Sequence, residues 1–167
     1  MIRLKIILVC IIMLSNYQAV NGQDTDCIFD LETQTNDFLI ETPFWENHNW
    51  DVEAKTAYVK LTEADSLEIY RGGCFHFGYY VSLISSSQNA DISDDAFWIA
   101  EIQKWTHQLP DFDNDFVYAL LENRGEPDES SPNQLVWYLD DENYCVTELW
   151  IEFKHGKVEV RLGYYLC

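Results

Sequence analysis

Four histidines and four cysteines follow residue 22 of this 167-residue chain, and they are its natural candidates for nucleophile, base and metal ligand. Cys74 and His76 stand two residues apart, so a strand carries both side chains to one side. A thiol beside an imidazole is the start of a nucleophilic pair, but it works only if Cys74 is not tied in a disulfide. His48, His76, His107 and His155 share no metal-ligand spacing. His107 falls in the last turn of a predicted helix, where a cation suits the dipole, and His155 falls in a turn. There is no Gly-x-Ser-x-Gly elbow, no His-Glu-x-x-His and no phosphate-cradling glycine loop. The reading is therefore of a protein with no cofactor, no metal site and no catalytic motif. A hydrolase with an unrecognised carboxylate pair stays open as an alternative, because spatial separation and not sequence identifies such pairs.

Carboxylates are the most abundant reactive groups. Asp111, Asp113 and Asp115 alternate, and Glu122 stands eleven residues after the first, which resembles the ligand spacing of a calcium-binding EF-hand loop. Phe116 occupies the place of that loop's glycine, and Phe116 to Leu121 read as helix. Acidic residues favouring a helix N-terminus account for the cluster more simply.

The elements that must position these groups follow from periodicity. Leu67 to Ser85 reads as a short strand, a Gly72-Gly73 break and a long strand. Phe75, Phe77, Tyr79, Val81 and Leu83 form the apolar side, while Cys74, His76, Gly78, Tyr80 and Ser82 form the mixed side. Lys55 to Leu61 alternates in the same way and pairs with Leu67 to Tyr70. A helix is expected over Cys27 to Glu41, then an aromatic loop containing Trp45 and Trp50. Ser93 is the expected cap of a helix carrying Trp98, Ile99, Ile102, Trp105 and Leu109, and a second helix covers Asp113 to Asn123. Gly125 to Pro132 is an acidic loop. The last third is a meander of Gln134 to Leu139, Tyr144 to Phe153 and Lys157 to Leu166. A two-residue turn at His155-Gly156 sets Leu149 opposite Leu162, Ile151 opposite Val160 and Phe153 opposite Val158. A slip by one residue would set them against Arg161 or Glu159.

The predicted fold is a single α+β domain over 23–167, a mostly antiparallel sheet of about six strands with two or three helices on one face. The non-core face collects Tyr58, Lys60, His76, Tyr80, Tyr138, Trp150, Arg161 and Tyr165.

Residues 1–22 have the grammar of a secretory signal: Arg3 and Lys5, the apolar run Ile6 to Leu14, and Val20 and Gly22 before a cut ahead of Gln23. The apolar run is short for a bilayer span, so no stable membrane insertion is expected once it is removed. In a secreted or periplasmic setting, Cys27, Cys74, Cys145 and Cys167 predict two disulfides stapling the domain. Cys74–Cys167 with Cys27–Cys145 is the favoured pairing. The whole chain has a net charge of −19. Without Arg3 and Lys5 the balance is eight basic against 29 acidic residues, a net of −21. Such a field opposes nucleic-acid binding and accelerates association with a basic protein.

The expectation is an exported acidic binding protein, of inhibitor or immunity type, that captures a basic partner. Candidate contact residues are His76, Tyr80, Tyr138, Trp150, Trp45 and Trp50. Asp111, Asp113, Asp115, Asp128, Glu129, Asp140, Asp141 and Glu142 are candidates for electrostatic steering. The alternative is a carbohydrate- or small-ligand-binding module using Trp45, Trp50 and the sheet aromatics.

Overall fold

The computed structural model describes residues 28–40, 42–86, 91–141 and 144–166, without the side chains of 140, 141 and 144–146. The expected signal segment lies outside them, as do Cys27, Glu142 and Cys167. Among the described residues no helix is long and apolar enough to cross a membrane.

Alternating sequence builds two antiparallel meanders. The first comprises β1 (His48–Asp51), β2 (Thr56–Lys60), β3 (Asp65–Gly72) and β4 (Phe77–Ser85). The second comprises β5 (Glu129–Ser131), β6 (Gln134–Asp141), β7 (Tyr144–Lys154) and β8 (Lys157–Leu166). They join where β4 pairs antiparallel with β8, giving one eight-stranded sheet of order β1-β2-β3-β4-β8-β7-β6-β5. The expected six strands are thus all present, but the sheet has eight. Both additions are edges, β1 from the aromatic loop and β5 from the acidic loop. Each is three or four residues long, too short for alternation to be visible against loop composition.

The two longer helices come from the segment between the meanders. After α1 (Asp37–Ile40), a single turn, α2 (Asp95–Thr106) and α3 (Asn114–Glu122) supply the helical cover of the core. Asp94, not Ser93, caps α2 by accepting from the Phe97 N–H at 3.1 Å. Asp113 caps α3 by accepting from the Phe116 N–H at 3.3 Å. That cap accounts for Asp113 in the acidic triad, and among the described residues no cluster of three metal-ligating side chains exists.

The helix expected over Cys27 to Glu41 is not formed across its described part. A 3₁₀ turn, Leu31–Thr33, and α1 replace it. Polar side chains explain the break, because they bond locally or across the fold in place of the helical ladder. Asp30 accepts from the Glu32 N–H, the Lys55 ammonium donates to the Leu31 and Gln34 carbonyls, and the Gln34 amide clasps Gly73 through both its N–H and its C=O.

The expected hairpin register is observed: Leu149, Ile151 and Phe153 face Leu162, Val160 and Val158 across β7 and β8. His155 and Gly156 both have positive φ, 53° and 75°, the backbone of a type I′ turn whose twist matches the strands. Leu67, Ile69, Val81, Leu149, Ile151, Val160 and Leu162 form the sheet side of the core, against Leu39, Trp45, Trp98, Ile102, Val117 and Leu121. Phe75, expected in this layer, precedes β4 and is 47% exposed.

The disulfide staple is also corrected. Among the described residues no pair of cysteine sulfurs is seen, and each expected bridge, Cys74–Cys167 and Cys27–Cys145, includes a cysteine outside them. Cys74 itself is disulfide-bonded, which removes the nucleophile from the Cys74–His76 pair. Cys27, the Cys145 side chain and Cys167 lie outside the described residues.

Candidate functional site

Because α2 and α3 lie on one side of the sheet, its other side is left, among the described residues, to side chains alone. Strand register places its residues in rows. The central row runs Tyr58, Glu68, Ser82, Arg161, Trp150, Val136 and Glu129, from β2 to β5. The next row carries Tyr70 opposite Tyr80, Tyr80 opposite Gly163, and Gly163 opposite Glu148, which faces Tyr138.

Two glycines shape this surface. A Cβ at Gly163 would lie 2.2 Å from the Tyr80 Cβ, and one at Gly78 would lie 2.8 Å from the Tyr165 ring. Their bare backbone lets three tyrosines lie down on the sheet. Tyr70 stacks on Tyr80 with centroids 4.5 Å apart and 15° between planes, and Tyr165 leans on Tyr80 at 6.3 Å. The Arg161 guanidinium lies between two rings, 5.2 Å from Tyr80 and 5.5 Å from Trp150. Its Nε donates to Ser82 Oγ at 3.2 Å and its Nη2 to Glu159 Oε1 at 2.9 Å. The result is an aromatic platform with a fixed cation at its centre.

Carboxylates surround it. Glu159 faces Glu152 directly across the ladder, a like-charge pair that destabilises unless a cation intervenes, as Arg161 does beside Glu159. Glu68 has its pKa raised, first by burial and then by Glu159, with Arg161 opposing. The Tyr80 hydroxyl is pushed up to about 12, mainly by burial. For Arg161 burial works against the charged form, but Glu159, Tyr80 and Glu148 together outweigh it and the guanidinium is held protonated. Among the described residues the buried Trp150 indole N–H meets no acceptor. No protein-family model matches this chain, and neither a curated protein nor a solved structure matches it.

Of the expected contact residues, Tyr80 and Trp150 are half-buried parts of the platform, and Tyr138 is exposed at its β6 border. The Tyr138 hydroxyl donates to Glu129 at 3.2 Å, and its backbone N–H donates to Asp128 at 2.8 Å. Those two acids therefore border the platform. His76 is exposed in the bend before β4, off the ladder. Trp45 is fully buried and donates its indole N–H to the Gln108 carbonyl at 3.0 Å, so it cannot meet a ligand. Trp50 is half-buried on the core side, edge-on to Phe38 at 6.3 Å. Asp111 pairs with Arg71 at 3.6 Å, Asp113 is the α3 cap and Asp115 lies in the first turn of α3. None of the three borders the platform. The side chains of Asp140, Asp141 and Glu142 lie outside the described residues. Sequence reasoning missed Glu68, Tyr70, Glu148, Glu152 and Glu159. Alternation carried the signal, since Leu67 and Ile69 turn inward and leave Glu68 and Tyr70 outside.

Proposed function

We propose that this chain is an exported acidic binding protein whose uncovered sheet face captures a basic partner protein. The observation that carries this reading is the platform of Tyr70, Tyr80, Tyr165 and Trp150 bordered by Glu68, Glu148, Glu152 and Glu159. Tyrosine, tryptophan and arginine are the residue types on which binding energy concentrates. Rings that already rest on one another and on glycine lose little freedom when a partner docks. Lysine and arginine side chains of the partner would lie over the ring faces and reach the glutamates. The chain's net charge of −19 would raise the association rate more than the final affinity.

The test is a binding titration of the protein against basic secreted proteins, followed by biolayer interferometry at low and high salt. Capture is expected to slow in association as salt rises, and Trp150→Ala or Tyr80→Ala to weaken it at least tenfold, about 1.4 kcal/mol. Capture that ignores both salt and Tyr80→Ala, or no capture by any basic protein, sinks the reading.

A further inference from the structure

On the opposite side of the sheet, where the turn joining β2 and β3 meets α2, the core does not close. A cleft of about 950 Å³ remains, within the range that receives a drug-sized molecule. Its walls come from four separate stretches of chain. Phe44 belongs to the 3₁₀ turn Pro43–Trp45, Phe97, Trp98 and Trp105 belong to α2, and Val59, Leu61 and Leu83 come from the sheet. Phe44 and Phe97 are 48% and 49% exposed, although each is in edge contact with a neighbouring tryptophan. Half-exposed rings that line a cleft are surface apolar area with a use to be found.

The charged lining is mostly acidic. Among the described residues Asp65, Asp91, Asp94 and Glu101 line the cleft, against one cation, Lys60. Lys60 is already engaged by Glu63 at 2.7 Å, and Glu101 is paired with Lys104. The aspartates are held in place. Asp65 accepts from Ser85 Oγ at 2.7 Å and Thr62 Oγ1 at 3.0 Å, and Asp91 Oδ1 accepts from the Ser93 N–H at 2.9 Å. Indole and phenyl faces attract a cation by their quadrupole, and fixed carboxylates beside them exclude an anion. An uncharged ligand would leave those carboxylates without a counter-charge.

We infer that this cleft is a binding site for a small organic ammonium ion with an apolar body, an aryl- or alkylamine in its protonated form. The apolar body lies between Phe44, Phe97 and Trp105, and the ammonium points toward Asp65 and Asp91. The site is separate from the tyrosine platform and does not depend on it, since the two lie on opposite faces of the sheet.

Trp98 and Trp105 make the test direct, because both line the cleft and report occupancy by fluorescence. The full chain is titrated with 4-phenylbutylamine, with 4-phenylbutanol as the uncharged counterpart and 4-phenylbutyrate as the anion. The expected result is saturable binding of the amine, at least tenfold weaker binding of the alcohol, and none of the acid. Phe97→Ala, at an exposed helix position, is expected to weaken the amine at least fivefold. The double variant Asp65→Asn with Asp91→Asn should bring amine and alcohol to similar affinity. Circular dichroism confirms that both variants fold. Trp150→Ala, on the far face, leaves amine binding unchanged. Equal binding of amine and alcohol by the native chain overturns the inference, as does amine binding that survives Phe97→Ala intact.

Discussion

Gly163 has its partner strand so near that any side chain must displace backbone: an added Cβ would lie 2.5 Å from both the Tyr79 carbonyl oxygen and the Tyr80 Cα. Gly163→Ala is therefore expected to destabilise by about 1–3 kcal/mol, seen as a lower urea midpoint. It should also disorder the Tyr70–Tyr80 stack, which near-ultraviolet dichroism reads. Glu68 makes a different claim at the same scale. Its carboxyl has a higher pKa folded than unfolded, so between those two values the native state binds the extra proton and stability falls as pH rises. The penalty is absent below the ordinary carboxylate range and complete above the raised value. Glu68→Gln removes it, so the variant gains on the wild type as pH rises above the ordinary carboxylate range in denaturant titrations. A gain that does not grow with pH would show that Glu68 is not desolvated on this face.

At the scale of elements, the turn at His155-Gly156 shows how much of this fold was written locally. Two residues of positive φ fix the hairpin, and the alternation of Leu149, Ile151, Val160 and Leu162 allows one register. The same logic located Tyr80, Trp150 and Arg161 on a shared face. What alternation does not carry is which strands adjoin, and therefore that Ser82 on β4 lies beside Arg161 on β8. Nor does it reveal β1 and β5, whose few residues gain their ladder from neighbours and not from their own pattern. Trp45 shows the limit most clearly, because an aromatic in a loop reads alike whether it anchors a ligand or the core. Here it anchors the core, and Trp45→Ala is expected to cost about 3–5 kcal/mol in thermal unfolding. For α3, Asp113→Ala should cost about 1 kcal/mol through the lost cap. Calcium is expected to leave the melting temperature of either chain unchanged, since the triad is read as a cap and its neighbours.

Across the whole molecule, 29 acidic residues face 10 basic ones, and repulsion among them opposes compaction. Raising ionic strength from about 0.01 M to about 0.15 M shortens the Debye length from about 30 Å to about 8 Å. The melting temperature should therefore rise with added salt, whereas salt-bridge-dominated stability would make it fall. Sheets this broad carry a hazard at their borders, where unsatisfied backbone groups invite another copy to extend the ladder. Here the outermost strands are His48–Asp51 and Glu129–Ser131, stubs with room for few such bonds, and on β5 every side chain is exposed. A molecule so finished at both margins can hold a flat, sticky aromatic plane open to its surroundings without serving as the seed of a fibre.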